Sequence, residues 1–227
     1  MKQQDSRGVS SIEFAFSMLV ILPLLLGTGV TGANMIRTLQ TTQLARDAGH
    51  MYGRGLDFSQ PGNQTILQDL GANVGLTDST GNAVVILSKV TYVDKPACAA
   101  QGLADASGNP TSACVNYQHW VFAQRIQLGN TAVRGSNFGT ASGVTCRDSR
   151  MNVNNDPNNC NIDGLDQATK SGDRASISGV NPYSVSAGGA VSGLPSGQVL
   201  YVAEAGARGF NMPPFVSNMV AYSFGLF

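Results

Sequence analysis

The sequence predicts an α+β fold in which a long N-terminal helix packs on a small antiparallel β-sheet domain with long loops. An uncharged apolar run at residues 14–36 continues into a segment of helical periodicity. Later segments are rich in β-branched and aromatic residues, which favour strands. Glycine contributes 27 of the 227 residues and is mixed with serine and asparagine between these segments, as is typical of long surface loops.

The first element is a long helix over residues 9–55, with its membrane-spanning part at about 14–36. This run holds no charged side chain. As a helix it would rise about 34 Å, which is enough to cross the hydrocarbon core of a bilayer. Apolar residues then alternate with polar ones in a helical pattern, and Gly53 and Gly55 would end the helix.

Charges around the run predict its orientation. Lys2 and Arg7 precede it, so residues 1–8 form a cytoplasmic leader by the positive-inside tendency. Residues 56–227 then form an exported α+β domain. Residues at about 130–196 are rich in glycine, serine and asparagine, and we expect a loop-rich, partly disordered insertion there.

The cysteines are consistent with export. Cys98, Cys114, Cys146 and Cys160 form two close pairs without a Cys-x-x-Cys motif. We favour the disulfides Cys98–Cys114 and Cys146–Cys160, although four cysteines allow three connectivities. Each would close a loop of about 15 residues and contribute about 3 kcal/mol. The alternative is four unpaired thiols.

Gly8 and Glu13 form an unusual pair at the start of the helix. A carboxylate deep in a membrane costs about 2.5–3.5 kcal/mol unless it is paired. Cleavage after Gly8 would create a free amine on Val9, and that amine on a neighbouring helix is a natural partner for Glu13. The alternative is that Glu13 is an interfacial residue and Gly8 a linker glycine.

The exported domain begins with a predicted helix at 64–73. Strands are predicted at 83–93, 120–129 and 197–209, with a final strand at 219–227, and the long connections favour antiparallel pairing. In the second strand, alternation places five side chains on one side: Trp120, Phe122, Gln124, Ile126 and Leu128. In the third strand it does the same for Val199, Tyr201, Ala203, Ala205 and Ala207.

Composition and motifs exclude several functions. Charged residues make up 12% of the chain and balance formally, so no basic surface for nucleic acid is expected. His50 and His119 belong to no catalytic motif, and we expect no enzyme, no cofactor and no metal site. The Asn- and Asp-rich segment 152–163 favours a turn-rich loop, with a weak calcium loop as the alternative.

The N-terminal residues resemble the TadE-like family of the tight-adherence (Flp) pilus system. The shared motifs are Arg7-Gly8, Glu13-Phe14-Ala15, and Pro23-Leu24-Leu25-Leu26 followed by Gly27. The segment ARDAGHMYGRG and the tail GQVLYVAEAGARGFNMPPF, with its Tyr-Val-x-Glu pattern, are also similar to the family.

This resemblance implies a minor pilin or pseudopilin in the bacterial inner membrane, with its C-terminal domain in the periplasm. It implies cleavage by a prepilin peptidase between Gly8 and Val9, with Glu13 and Phe14 setting the helix register during assembly. The implied partners are the lipid bilayer, other pilin or pseudopilin subunits and Tad assembly proteins. The alternative is an uncleaved, membrane-anchored periplasmic domain that binds or tethers.

Overall fold

The computed structural model describes residues 7–178, 184–185, 191–192 and 197–227, and it describes side chains for 11–178 and 197–227. Residues 1–6 of the expected leader, and most of the segment 179–196 of the expected insertion, lie outside the described residues. The long helix α1 runs over Arg7–Gly53 and ends at the first of the two glycines expected to stop it.

Three shorter helices follow, and the first begins earlier than the sequence predicts. Helix α2 (Pro61–Leu70) includes the Pro-Gly pair that was expected to form a preceding turn. Proline is favoured in the first turn of a helix because its missing N–H has no partner there anyway. The short helices α3 (Lys95–Ala100) and α4 (Gly164–Thr169) were not predicted.

The described strands form one five-stranded sheet and one small hairpin. The sheet order is β3 (Asn159–Asn161), β2 (Trp120–Gly129), β1 (Ala83–Tyr92), β6 (Val199–Arg208) and β7 (Val220–Leu226). Every pairing is antiparallel, which confirms the α+β prediction. The hairpin pairs β4 (Ser184–Val185) with β5 (Val191–Ser192).

A bulge at Ala123 breaks the alternation of β2. Lys89 of β1 pairs with Gln124, but the next residue, Val90, pairs with Phe122. An extra residue in one strand moves the following side chains to the other face. The prediction that five side chains of β2 share one side is therefore wrong. Trp120 and Phe122 join one core cluster, whereas Ile126 and Leu128 join another, with Gln124 on their face.

Helix α1 packs across one face of the sheet through its C-terminal half. Leu44, Ala45, Ala48 and Tyr52 are buried in this contact. Small side chains on β6 allow the helix to approach closely, and they belong to the side predicted for this strand: Ala203, Ala205 and Ala207, with Tyr201 packed beside them.

The opposite face of the sheet is covered by the described part of the expected loop-rich insertion at about 130–196, here termed the covering segment. Val133 packs on Val84 and Ile86 of β1, and Phe138 joins the core around Phe122. The described part of this segment is mostly irregular but also contributes β3 and α4. This described part therefore forms a second core layer on the sheet.

Candidate functional site

The N-terminal half of α1 projects from the domain as a bare apolar helix. The large apolar side chains from Ile12 to Leu26 are 36% to 70% exposed, and no part of the described chain covers them. This helix is long and apolar enough to cross a membrane, which is consistent with a single-pass anchor.

The predicted processing and assembly residues lie at the free end of this projecting helix. Gly8 and Val9 are already in helical backbone, and Glu13 and Phe14 are both exposed. Val9 and Glu13 are four residues apart, so they lie one turn apart on the same face. A new amine on Val9 would therefore lie near the Glu13 carboxylates of adjacent helices only if those helices were offset along their axes.

Hydroxyl side chains within the apolar run are satisfied by the helix backbone. The hydroxyl groups of Ser17, Thr28 and Thr31 each donate to the carbonyl oxygen four residues earlier, at 2.9, 3.0 and 2.8 Å. Such bonds remove donors that lipid could not satisfy. Pro23 interrupts the backbone pattern here without ending the helix.

Tyr52 fixes the other end of α1 to the sheet. Its hydroxyl group donates to the side-chain oxygen of Gln124 at 2.7 Å, and its ring meets Tyr201 edge-on at 5.0 Å. Burial raises the Tyr52 pKa well above its usual value, with smaller contributions from Tyr201 and Asp57. Tyr52 therefore stays neutral, and its contacts hold the end of α1 on the sheet.

Phe227 at the C-terminus lies against α1 at Gly49. A Cβ atom placed on Gly49 would overlap the Phe227 ring, and the ring also meets His50 edge-on at 4.9 Å. The Phe227 backbone exchanges two hydrogen bonds with Tyr201, at 2.9 and 3.0 Å. The contact was not predicted from the sequence, where the only signal for it is a glycine inside the polar half of the helix.

A loop between β6 and β7, here termed the collar loop (residues 209–219), contacts α1. Asn34 on the helix hydrogen-bonds the backbone of Phe210, and Arg37 lies 5.1 Å from the Phe210 ring centre. Further along the helix, Phe215 contacts Gly27. The sequence analysis assigned no role to this loop.

Glu204, the glutamate of the Tyr-Val-x-Glu pattern, is buried on the face opposite α1. Its carboxylate accepts hydrogen bonds from Ser136, from the Asn137 backbone N–H at 2.9 Å and from the Tyr222 hydroxyl group. Burial and the hydrogen bond to Glu204 raise the pKa of Tyr222. The negative charge of Glu204 also faces buried Arg125, whose pKa burial lowers. This network fastens the covering segment to the sheet.

Both predicted disulfides are present, and all four cysteines are used. Cys98 in α3 bonds to Cys114, and Cys146 bonds to Cys160 in the edge strand β3. The second bridge thus connects the covering segment to the sheet.

Most other polar residues considered in the sequence have local roles. Asp94 caps α3 by accepting from the Ala97 backbone N–H at 2.9 Å. In the segment 152–163, Asp156 accepts from the Asn158 backbone N–H at 2.9 Å, and Asp163 caps α4 and pairs with Arg147 at 2.8 Å. These contacts confirm the turn-rich loop. Among the described residues, no three His, Cys, Asp or Glu side chains gather as a metal site would require.

Asp173 is the exception to this pattern of local pairing. It is fully buried, and within the described part of the chain neither carboxyl oxygen has a hydrogen-bond partner. Burial, together with the negative charge of Asp166, raises the pKa of Asp173 to about 8. Asp173 therefore holds a proton at neutral pH.

Comparison with protein-family models, with curated protein sequences and with solved structures finds no match to this chain. The geometry of the helix and of its exposed end is therefore the basis for any functional conclusion.

Proposed function

We propose that this chain is a TadE-like minor pilin or pseudopilin of the bacterial inner membrane, involved in assembling a Tad/Flp-type pilus or a related secretion apparatus. The observation that carries the proposal is the bare apolar half of α1, which bears an exposed carboxylate, Glu13, near its free end. A passive anchor needs the length and apolar character of such a helix but has no use for this carboxylate.

Glu13 gains a role once the chain is cleaved after Gly8. The product begins at Val9, and its α-amino group is positively charged at neutral pH. At the edge of the hydrocarbon core, where charged groups are less well solvated than in water, a carboxylate and an ammonium group are each stabilised by an oppositely charged partner. Pairing Glu13 of one subunit with Val9 of the next satisfies both and fixes the offset between the two helices.

Orientation follows from two independent features. The positive residues before the run, Lys2 and Arg7, favour a cytoplasmic N-terminus. The disulfides Cys98–Cys114 and Cys146–Cys160 favour an oxidising compartment for the domain. Together they support a domain on the periplasmic side of the inner membrane.

The intact mass of membrane-extracted protein tests the processing step. We expect an N-terminus at Val9, and we expect Gly8→Leu to retain residues 1–8 because it replaces the glycine at the proposed cleavage site with a bulky side chain. An intact Met1 start in functional, assembled protein would contradict the proposal. It would favour the uncleaved tethering domain instead.

Replacing Glu13 with alanine tests the register role. We expect Glu13→Ala to insert into the membrane normally but to fail to enter an assembly, because the neighbour's amine loses its partner. Asp47→Ala, which removes an exposed carboxylate from the domain-bound half of the same helix, is the matched control. Co-purification of tagged and untagged subunits provides the measurement, and unchanged co-purification of Glu13→Ala would refute the role.

A further inference from the structure

The collar loop is fastened to the helix by a side chain that lies inside the apolar run. The Asn34 side chain accepts from the Phe210 backbone N–H at 2.7 Å and donates to the Phe210 carbonyl oxygen at 3.3 Å. Asn34 is only 3% exposed as a result. The loop therefore pairs the oxygen and one N–H of an amide that would be costly to leave unpaired in lipid.

From Asn34 the loop extends along the helix toward its N-terminus. A Cβ atom placed on Gly27 would lie 3.3 Å from the Phe215 ring, so this ring rests on the helix at Gly27. Gly27 is seven residues before Asn34, which is about 10 Å along the axis. A hydrocarbon core that begins at Phe14 would extend about 20 residues, which places Gly27 about 9 Å inside its outer edge.

The absence of charge from the collar loop is compatible with a position inside the hydrocarbon core. Residues 209–219 contain no charged side chain. Phe210 and Phe215 are 50% and 44% exposed, and α1 also exposes apolar side chains at Met35 and Ile36, which follow Asn34 in the sequence. Aromatic residues are enriched where a protein crosses the membrane–water boundary.

Several backbone groups of the loop are also satisfied without water. The N–H of Met212 donates to Val216 at 2.8 Å, and the N–H groups of Phe215 and Val216 donate to the Met212 carbonyl oxygen at 2.9 and 3.0 Å. Pro213 and Pro214 have no N–H to satisfy. Irregular backbone is normally excluded from lipid because of unpaired polar groups, and every N–H group of residues 212–216 has a partner.

We infer that the collar loop enters the outer leaflet of the bilayer beside α1 and is a second membrane contact of this protein. Lipid covers the exposed face of the loop, because this face continues the apolar surface of α1 at the same depth in the bilayer. This inference rests on the proposed membrane anchorage of α1. It adds a membrane-inserted element that is separated from that helix by most of the chain.

Depth-dependent quenching of tryptophan fluorescence tests the inference. Full-length protein is reconstituted in phosphatidylethanolamine–phosphatidylglycerol vesicles with or without bromine on the acyl chains. The single natural tryptophan is removed by Trp120→Phe, and Phe215→Trp or, as a second probe, Phe210→Trp reports on the loop. Leu22→Trp reports on the helix, and Val153→Trp reports on an exposed site of the domain.

We expect brominated lipid to quench Phe215→Trp and Leu22→Trp, with little loss for Val153→Trp. Quenching of Leu22→Trp without quenching of either loop probe would overturn the inference and leave the anchor intact. Absence of quenching at Leu22→Trp would overturn the anchor and, with it, the inference. If the loop probes are quenched only at high lipid-to-protein ratio, a second copy of the chain covers the loop and lipid is not its resident partner.

Discussion

At the level of single residues, two glycines of α1 have different surroundings. Gly49 meets the Phe227 ring so closely that a Cβ atom would overlap it, whereas a Cβ atom on Gly29 would meet nothing within 4 Å. The two glycines lie in the same helix, and the intrinsic gain in helix propensity from alanine is about 1 kcal/mol at either. Any difference between them therefore reports the contact with Phe227.

We expect Gly49→Ala to destabilise the domain, because overpacking of about 1–3 kcal/mol outweighs the propensity gain. Gly29→Ala should leave domain stability unchanged. Thermal unfolding in detergent measures both. A double variant, Gly49→Ala with Phe227→Ala, should cost less than the sum of the single changes, since the overlap no longer exists. Additive losses would show that Phe227 is not the obstacle.

Asp173 makes stability depend on pH. Its folded pKa of about 8 exceeds the ordinary value of 3.8, so the folded state holds the proton that the unfolded state has lost between these values. Stability therefore falls as pH rises through this window, by at most about 1.4 kcal/mol per unit. We expect Asp173→Asn to match the natural chain near pH 3, below the ordinary pKa, and to exceed it in stability increasingly up to pH 8. Parallel curves in chemical denaturation would contradict this.

At the level of elements, period-two patterning predicted the four long strands well because each has at least one buried face. It failed within β2, where the bulge at Ala123 exchanges the two faces. A bulge depends on pairing with β1, and the alternation of a single strand does not contain that information. The short elements β3 and α4 were missed for a related reason, since tertiary contacts rather than local propensity define them.

The Cys146–Cys160 disulfide should stabilise the covering segment on the sheet. It spans 14 residues and ends on the edge strand β3. We expect the double replacement by alanine to cost about 3 kcal/mol in unfolding free energy. Chemical denaturation of the double variant measures the loss. Single replacements are poor controls because each leaves a reactive thiol, so the matched control is Cys98→Ala with Cys114→Ala, which should leave β3 protected from amide exchange.

At the level of the whole molecule, α1 joins two environments. Its C-terminal half is buried against the sheet, and its N-terminal half is exposed and apolar. The sequence alone predicted this division, because charged residues return after Ile36 and apolar residues then recur in a helical pattern. It also placed Gly8 and Glu13 near the start of the helix. It could not place the collar loop on Gly27 and Asn34, because that contact joins residues about 180 positions apart.

The proposed membrane sidedness of the domain can be measured on intact cells. The natural chain has no free cysteine, so a membrane-impermeant maleimide should not label it. We expect Val153→Cys, which places a thiol at an exposed site of the domain, to be labelled in intact spheroplasts because the domain faces outward. Labelling that requires lysis would place the domain in the cytoplasm. In that compartment the disulfides would also be reduced, and the natural chain would then be labelled as well.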